Sequence, residues 1–275
     1  MCAAGITSRT NPQLKQLRGA FTGNARLSGG LVAVEGENLL FEAVRSGVML
    51  ERVFVAEDRS TPEWLPSAVE VVEVEREVLA SAVDTLSPQG IAGLLRAPEW
   101  RLQEVCRPEA EPLVLIAAGL QDPGNLGTLV RSAEAFGAAC VLTTAGTVSS
   151  WSPKTVRASA GSAFRLPVVR VTADDLVNLS CRGLRILAAV AEDSREGAPP
   201  VPAADADLTG ARALMIGNEG SGITDQWLSL AAGRITIVMP GPVESLNAAI
   251  AGSLLLYEAA RQRARVADHL SKENA

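Results

Sequence analysis

The stretch Asp122-Pro123-Gly124-Asn125-Leu126-Gly127-Thr128-Leu129-Val130-Arg131-Ser132-Ala133-Glu134 decides how the fold is read. An apolar run at 113–118 precedes it and reads as a buried strand. Pro123, Gly124 and Gly127 read as a tight turn. The pattern then changes to helical spacing through Leu126, Leu129, Val130, Ala133 and Phe136, which predicts a helix over 125–136. Asn125 then sits at a strand-to-helix corner, with Arg131 and Glu134 about one and a half to two turns farther along. Ligands of open α/β sheets bind outside the carboxyl ends of the strands, so polar groups at this corner are candidate site residues.

The rest of the chain repeats the alternation. Downstream of the opening stretch, strands are expected at 139–143, 168–171, 185–191, 213–217 and 235–239. Helices are expected at 153–160, 173–179, 225–231 and 245–267, and 192–208 reads as a loop rich in Pro, Asp and Ala. This order predicts a mostly parallel sheet with helices on both faces. Upstream, strands at 31–34, 52–56, 69–74 and 90–95 alternate with helices at 36–45 and 75–83. They describe a small α/β domain, with a short helix or basic arm in residues 1–30. Pro98, Pro108 and Pro112 mark 96–112 as a linker, and the expected domains are 1–105 and 106–275.

Composition narrows the chemistry. Of 275 residues, 47% are hydrophobic, enough for a substantial core. No apolar run reaches the length of a membrane span, and Arg9, Lys15 and Arg18 break up any signal-peptide pattern, so a cytoplasmic protein is expected. Cys2, Cys106, Cys140 and Cys181 are scattered, which suggests neither a disulfide framework nor a zinc site. Cys140 and Cys181 read as buried packing residues. A single histidine, His269, makes a multi-His metal site impossible, so no metal is expected. The chemistry must use Arg, Glu, Asn and Ser, or a cofactor.

The net charge of −6 argues against a protein that coats nucleic acid indiscriminately. Two windows are nevertheless free of acids. Residues 1–30 carry Arg9, Lys15, Arg18 and Arg26, and residues 143–172 carry Lys154, Arg157, Arg165 and Arg170. They are either solvated segments or phosphate-contacting patches.

Three strand ends carry polar clusters: the opening stretch, Met215-Ile216-Gly217-Asn218-Glu219-Gly220-Ser221-Gly222, and Ile237 through Asn247. Ser245 also reads as a natural helix N-cap, and so does Asn125. The glycines at 217–222 run G-x-x-G-x-G, the wrong order for a dinucleotide fingerprint, and no lysine follows a glycine as a P-loop requires.

At this point the residues carry a resemblance. GNLGTLVRSAEAFGA (124–138), LMIGNEGSGI (214–223) and IVMPGPVESLNAAIAGSLLLYEA (237–259) resemble, in order, the three signature motifs of the SpoU/TrmH family of S-adenosylmethionine-dependent RNA ribose 2′-O-methyltransferases. SPKTVRASAGSAFRLPV (152–168) resembles the family's pattern between the first two motifs. The likeness covers 113 to about 265. The first hundred residues resemble, more weakly, the ribosomal-protein-like substrate-binding domain of rRNA-directed members. One departure is visible: the family's I-P-M is here Ile237-Val238-Met239, with Pro240 following.

The resemblance implies a trefoil-knotted α/β methyltransferase domain that holds S-adenosyl-L-methionine in its knot. It implies Gly217, Ile237 and Leu246 as cofactor contacts, with Met239 beside them and Thr143, Asn218 and Gly220 as further candidates. Asn125, Arg131, Glu219, Ser245 and Asn247 match the catalytic and near-catalytic positions. The family assigns the base to Arg131, but a guanidinium with a pKa above ~12 rarely gives up its proton. Arg131 is therefore expected to hold the target phosphate and stabilise developing alkoxide. Glu219 either pairs with Arg131 or orients Asn125.

The last helix, apolar at Leu246, Ala249, Ile250, Leu254, Leu255 and Tyr257, is expected to be buried on more than one side, as in a homodimer. RNA contact is expected at Arg9, Lys15, Arg18, Arg26, Lys154, Arg157 and Arg165. The expected substrate is 23S rRNA. A tRNA-directed enzyme, an antibiotic-resistance rRNA methyltransferase and a non-catalytic RNA-binding protein are the alternatives.

Overall fold

The computed structural model describes residues 5–23, 30–192 and 199–273. Cys2 and Arg26 lie outside these residues. In chain order the elements are α1 (Pro12–Ala20), β1 (Leu31–Glu35), α2 (Glu37–Arg45), β2 (Leu50–Ala56), β3 (Glu70–Val74), α3 (Arg76–Ala80), β4 (Ile91–Arg96) and α4 (Leu102–Val105). They continue with β5 (Leu113–Ala117), α5 (Pro123–Ala135), β6 (Cys140–Thr143), α6 (Pro153–Ala158), β7 (Val168–Arg170), α7 (Ala173–Cys181) and β8 (Arg185–Ala189). The last are β9 (Val201–Pro202), β10 (Arg212–Ile216), α8 (Asp225–Leu228), β11 (Gly233–Thr236) and α9 (Ala248–Glu273).

Contacts divide the chain into two compact units. One is Met1–Glu99 with Ser149–Arg165, and the other is Trp100–Val148 with Leu166–Ala275. Residues 149–165 thus belong to the first unit although the sequence on both sides of them belongs to the second. The proline-rich stretch after Arg96 is partly ordered on the second unit: it forms α4, and Cys106 is fully buried in that unit's core.

The first unit is a four-stranded sheet in the order β1-β4-β2-β3, with only the β2–β3 pair parallel. Its central strands are apolar except at Glu51, Arg52 and Arg96, because both faces are covered over most of their length. Leu14 and Leu17 of α1 and Val78 and Leu79 of α3 pack with Ala33, Phe54 and Leu94 on one face. Leu40 and Ala43 of α2, with Val156 and Phe164 of the inserted segment, pack with Val32, Val53 and Leu95 on the other.

The second unit is a seven-stranded sheet in the order β7-β6-β5-β10-β8-β11-β9, with every pair parallel. The α/β class and the parallel sheet agree with the reading from sequence. Leu176 and Leu179 of α7 and Trp227 of α8 cover Val114, Ile116, Met215 and Ile186 on one face. From β5 the chain runs outward to β6 and β7, while β10 pairs on the other side of β5. The β5–β10 boundary is therefore where strand order reverses, and its carboxyl end is where such sheets open a crevice.

On the opposite face α9 lies on α5, and three contacts set the spacing. Gly252 approaches closely enough that a Cβ there would meet Leu129 Cδ2. The Ser132 and Ser253 hydroxyls are 2.7 Å apart, and Phe136 meets Tyr257 edge-on at 5.7 Å.

Several local expectations change. Helix α5 starts at Pro123, so Gly124 and Gly127 are helical and the turn is made earlier, at Gly119 with φ 70°. Asp122 caps the helix, with Pro123 in the first turn where a missing N–H costs nothing. Asn11–Pro12 and Ser152–Pro153 start α1 and α6 in the same way. Strand β11 ends at Thr236, because β9 supplies only Val201 and Pro202 as pairing partners on its outer side; Ile237 to Met239 continue as a loop. Strand β9 lies inside the stretch expected to be a loop; two residues are too few to show a period. Cys140 is buried but Cys181 is exposed, because it ends α7 on the side away from Leu176 and Leu179. Helix α9 buries Ala249, Leu255, Leu256 and Ala259, while Ile250, Leu254 and Tyr257 stay about half exposed, so this chain alone covers one side of it.

Candidate active site

The polar cluster assembles at the carboxyl ends of β5 and β10. Asp122 Oδ1 accepts the Asn125 backbone N–H at 2.8 Å, so Asn125 is the third helical residue and not the cap. This leaves its side-chain amide available. The amide nitrogen donates to Glu219 Oε1, and the amide oxygen accepts from Asn247 Nδ2 at 3.0 Å. Of the two partners open to Glu219, the carboxylate takes Asn125.

Asn247 in turn is the residue that caps α9. Its Oδ1 accepts from the Ala249 and Ile250 amides at 2.9 and 3.2 Å. Ser245 was the expected cap but stands two residues farther out, exposed in the loop. An Asn amide has a donor end and an acceptor end. The α9 backbone therefore fixes which end of Asn247 faces Asn125, and that contact fixes which end of Asn125 faces Glu219.

Next to this cluster is a cavity of about 410 Å³. Its walls come from the ends of β8, β10 and β11, from the loop after each, and from the start of α9. Gly217, Asn218, Glu219, Ile237, Met239, Ser245 and Leu246 all line it. Thr143, buried at the end of β6, and Gly220 do not.

The loop at 217–222 is folded back on itself. Asn218 and Gly222 exchange backbone hydrogen bonds of 3.0 and 2.9 Å, and Asn218 Oδ1 accepts from the Gly220 and Ser221 amides at 2.8 and 3.3 Å. A Cβ on Gly217 would lie 2.5 Å from both the Gly222 oxygen and the Ile223 nitrogen, so only glycine fits.

Arg131 stands apart from the hydrogen-bonded cluster. It is exposed on α5, and its guanidinium makes no hydrogen bond or ion pair with another described residue.

The basic candidates sort differently from their sequence windows. Arg18 donates to the Arg9 carbonyl. Arg165 lies 2.7 Å from Glu42 and 3.1 Å from the Ser46 hydroxyl, and Arg157 lies 4.0 Å from Asp84. The second window lacks acids in sequence, but the fold of the first unit brings Glu42 to Arg165 and Asp84 to Arg157. Lys15 and Lys154 are exposed, and Arg26 is outside the described residues. Asp122, Gly119 and Thr147 also shape the site and were not singled out in the sequence. The Asp-Pro pair is a readable cap signal for the first; the other two carry no sequence signature.

Comparison with known proteins finds two family models. Residues 112–257 match the model of the SpoU rRNA Methylase family, and residues 11–93 match that of the MRM3-like substrate binding domain. The 23S rRNA (guanosine(2553)-2′-O)-methyltransferase RlmP of Bacillus subtilis is 29% identical over 92% of this chain and 97% of that protein. The human mitochondrial rRNA methyltransferase 3 is 31% identical over 90% of this chain and 71% of that one. An AdoMet-bound rRNA methyltransferase structure from Sinorhizobium meliloti superposes with a TM-score of 0.80 at 27% identity, covering 94% of this chain and 97% of that one.

Proposed function

The chain belongs to the SpoU rRNA methylase family, and from that membership we infer an RNA 2′-O-ribose methyltransferase that uses S-adenosyl-L-methionine and acts on 23S rRNA. One observation carries the reading to these residues: Glu219 both lines the cavity and accepts the Asn125 amide, so a cofactor space and a polar substrate corner share a wall.

The cavity suits the cofactor. Its volume is in the usual range for small-molecule sites, and apolar walls from Ile216, Ile237, Met239 and Leu246 accompany main-chain polar groups at Gly217. Gly217, Asn218, Ile237, Met239 and Leu246 would hold the cofactor, which when bound supplies an electrophilic methyl group. Asn125, pinned between Glu219 and Asn247, fixes the substrate ribose. Ser245 presents a hydroxyl at the cavity rim. Arg131 takes the target phosphate and stabilises the developing alkoxide. Holding the reactants in line and excluding water supplies much of the rate gain.

The first unit is the RNA-binding module, with Lys15 and Lys154 as phosphate contacts. The half-exposed Ile250, Leu254 and Tyr257 of α9 suit a second copy of the chain, giving a homodimer. The loop over the cavity and α9 form the family's knot. No helix among the described residues is long and apolar enough to cross a membrane, and we place the enzyme in the cytoplasm.

Calorimetry with S-adenosylhomocysteine, and mass-spectrometric mapping of 2′-O-methyl sites in 23S rRNA with and without the gene, test the proposal. Arg131→Ala is expected to abolish transfer and leave cofactor binding intact. A wild-type protein that binds no cofactor, or an unchanged methylation map, refutes it.

A further inference from the structure

One peptide joins the cofactor side of the site to the substrate side. Gly119 begins the turn from β5 to α5. Its N–H is shared between the Thr144 and Thr147 hydroxyls, each 3.1 Å away. Its carbonyl accepts from Asn218 Nδ2 at 3.2 Å. Thr147 Oγ1 also donates to the Ala117 carbonyl at 3.0 Å, and the Val148 N–H reaches the Leu120 carbonyl at 2.8 Å. The loop after β6 thus supports the turn from one side and the cofactor loop from the other.

Asn218 performs both tasks with one planar amide. Its oxygen closes the 217–222 loop, and its nitrogen ties that loop to Gly119. The next residue, Glu219, reaches Asn125 at the far end of the same turn. Two consecutive residues of the cofactor loop therefore hold both ends of 119–125, the segment that presents Asn125.

We infer that the Gly119 peptide is the junction through which the cofactor loop sets the substrate turn, with Asn218 and Thr147 as positioning residues, so that filling the cofactor cavity tightens RNA binding. The inference rests on the methyltransferase reading above. A ligand shifts a turn only as far as its affinities for the two arrangements differ, and the effect is reciprocal between the sites. Thr147 does not line the cavity, so its effect must pass through the segment it holds, at Gly119 and Ala117.

The test uses the full chain, a 23S rRNA transcript and S-adenosylhomocysteine. RNA affinity is measured with and without the cofactor product, cofactor affinity by calorimetry, and single-turnover transfer at saturation. In the wild type the cofactor product is expected to tighten RNA binding about fivefold or more. Thr147→Val keeps the side-chain shape and removes the hydroxyl. It should leave cofactor affinity within about twofold, bring the coupling ratio close to one and slow transfer about three- to tenfold, the worth of the lost Gly119 bond, since the Ala117 carbonyl keeps the Thr144 N–H as a partner. Thr147→Ser should restore both. Asn218→Asp keeps the acceptor for Gly220 and loses the donor to Gly119; it should also abolish coupling, and it carries the test if Thr147→Val does not fold. A wild type that binds both ligands without coupling overturns this inference alone, and so does full coupling in either folded variant, or a serine variant that behaves like valine. A wild type that binds neither ligand overturns the methyltransferase reading with it.

Discussion

Replacing Gly217 by alanine tests whether the folded-back loop at 217–222 builds the cofactor cavity. The new Cβ would sit 2.5 Å from the Gly222 oxygen and the Ile223 nitrogen, roughly 1 Å inside ordinary contact distance. Both obstacles are main-chain atoms, so no side-chain rotation relieves them. Relief requires the loop to open, which breaks the two backbone hydrogen bonds between Asn218 and Gly222. At about 0.5–1.5 kcal/mol net per bond, opening costs about 1–3 kcal/mol, similar to the usual cost of overpacking. A ligand that needs the closed loop should then bind about 5- to 150-fold more weakly. Calorimetry with S-adenosylhomocysteine measures this directly, and the melting temperature should fall by several degrees, from the same about 1–3 kcal/mol at about 2–4 °C per kcal/mol.

Gly220→Ala is the internal control. A Cβ there would have its nearest neighbour, Asn218 Oδ1, at 3.5 Å, an ordinary contact, so affinity should stay within about threefold. If Gly217→Ala binds as tightly as Gly220→Ala, the loop does not build the cavity and the reasoning is wrong.

Other outcomes follow from the same geometry. Asn125→Asp sets a carboxylate against Glu219 where an amide now donates; the rate should fall about 10- to 100-fold while cofactor affinity holds, and an unchanged rate would remove the amide chain from the mechanism. Gly252→Val forces a side chain into Leu129 and to within 3.3 Å of Ile216 Cγ1; calorimetric Tm should drop by several degrees, from about 1–3 kcal/mol of overpacking at about 2–4 °C per kcal/mol. The Glu258 carboxyl is held below the usual carboxylate range, first by its hydrogen bond to Arg261. Its folded pKa is thus lower than its unfolded one, so the stability it adds is present above the unfolded value, about 4.3, and is lost as pH falls through the folded value. Glu258→Gln should therefore flatten the decline in urea midpoint below about pH 4.5, and parallel profiles would contradict this. In the native protein a thiol reagent should label Cys181 and spare Cys106 and Cys140, which are buried, with the Cys140 thiol pushed up by its contact with Cys106 and by burial.

Much of the second unit was legible because a two-sided parallel sheet writes itself as apolar runs of four to six residues separated by helical spacing. The runs that became β5, β6, β8 and β10 were each found, although their ends moved by a residue or two. Cap positions were less legible. Asn125 and Ser245 both look like caps from composition, but Asp122 and Asn247 hold those places. A cap is defined by where the backbone enters the helix, and several polar residues near a turn compete for it. Two pairings in the second basic window were not legible for another reason: a run without acids says nothing of acids that the fold brings to Arg165 and Arg157 from residues 42 and 84.

The sequence by itself determined the α/β class, the order of strands and helices, and the polar residues that cluster at three strand ends. Those features depend on local periodicity and turn chemistry, which are properties of neighbours in the chain. Only the tertiary structure decided that 149–165 packs with the first unit, that Asn125 faces Glu219 and Asn247, and that Thr147 and Asn218 meet at Gly119. Each of those pairings joins groups about 30 to 120 residues apart, or regroups a whole segment. Hydrogen bonds and packing over such separations leave no periodic trace in one chain, because what selects the partner is the strand order of the folded sheet.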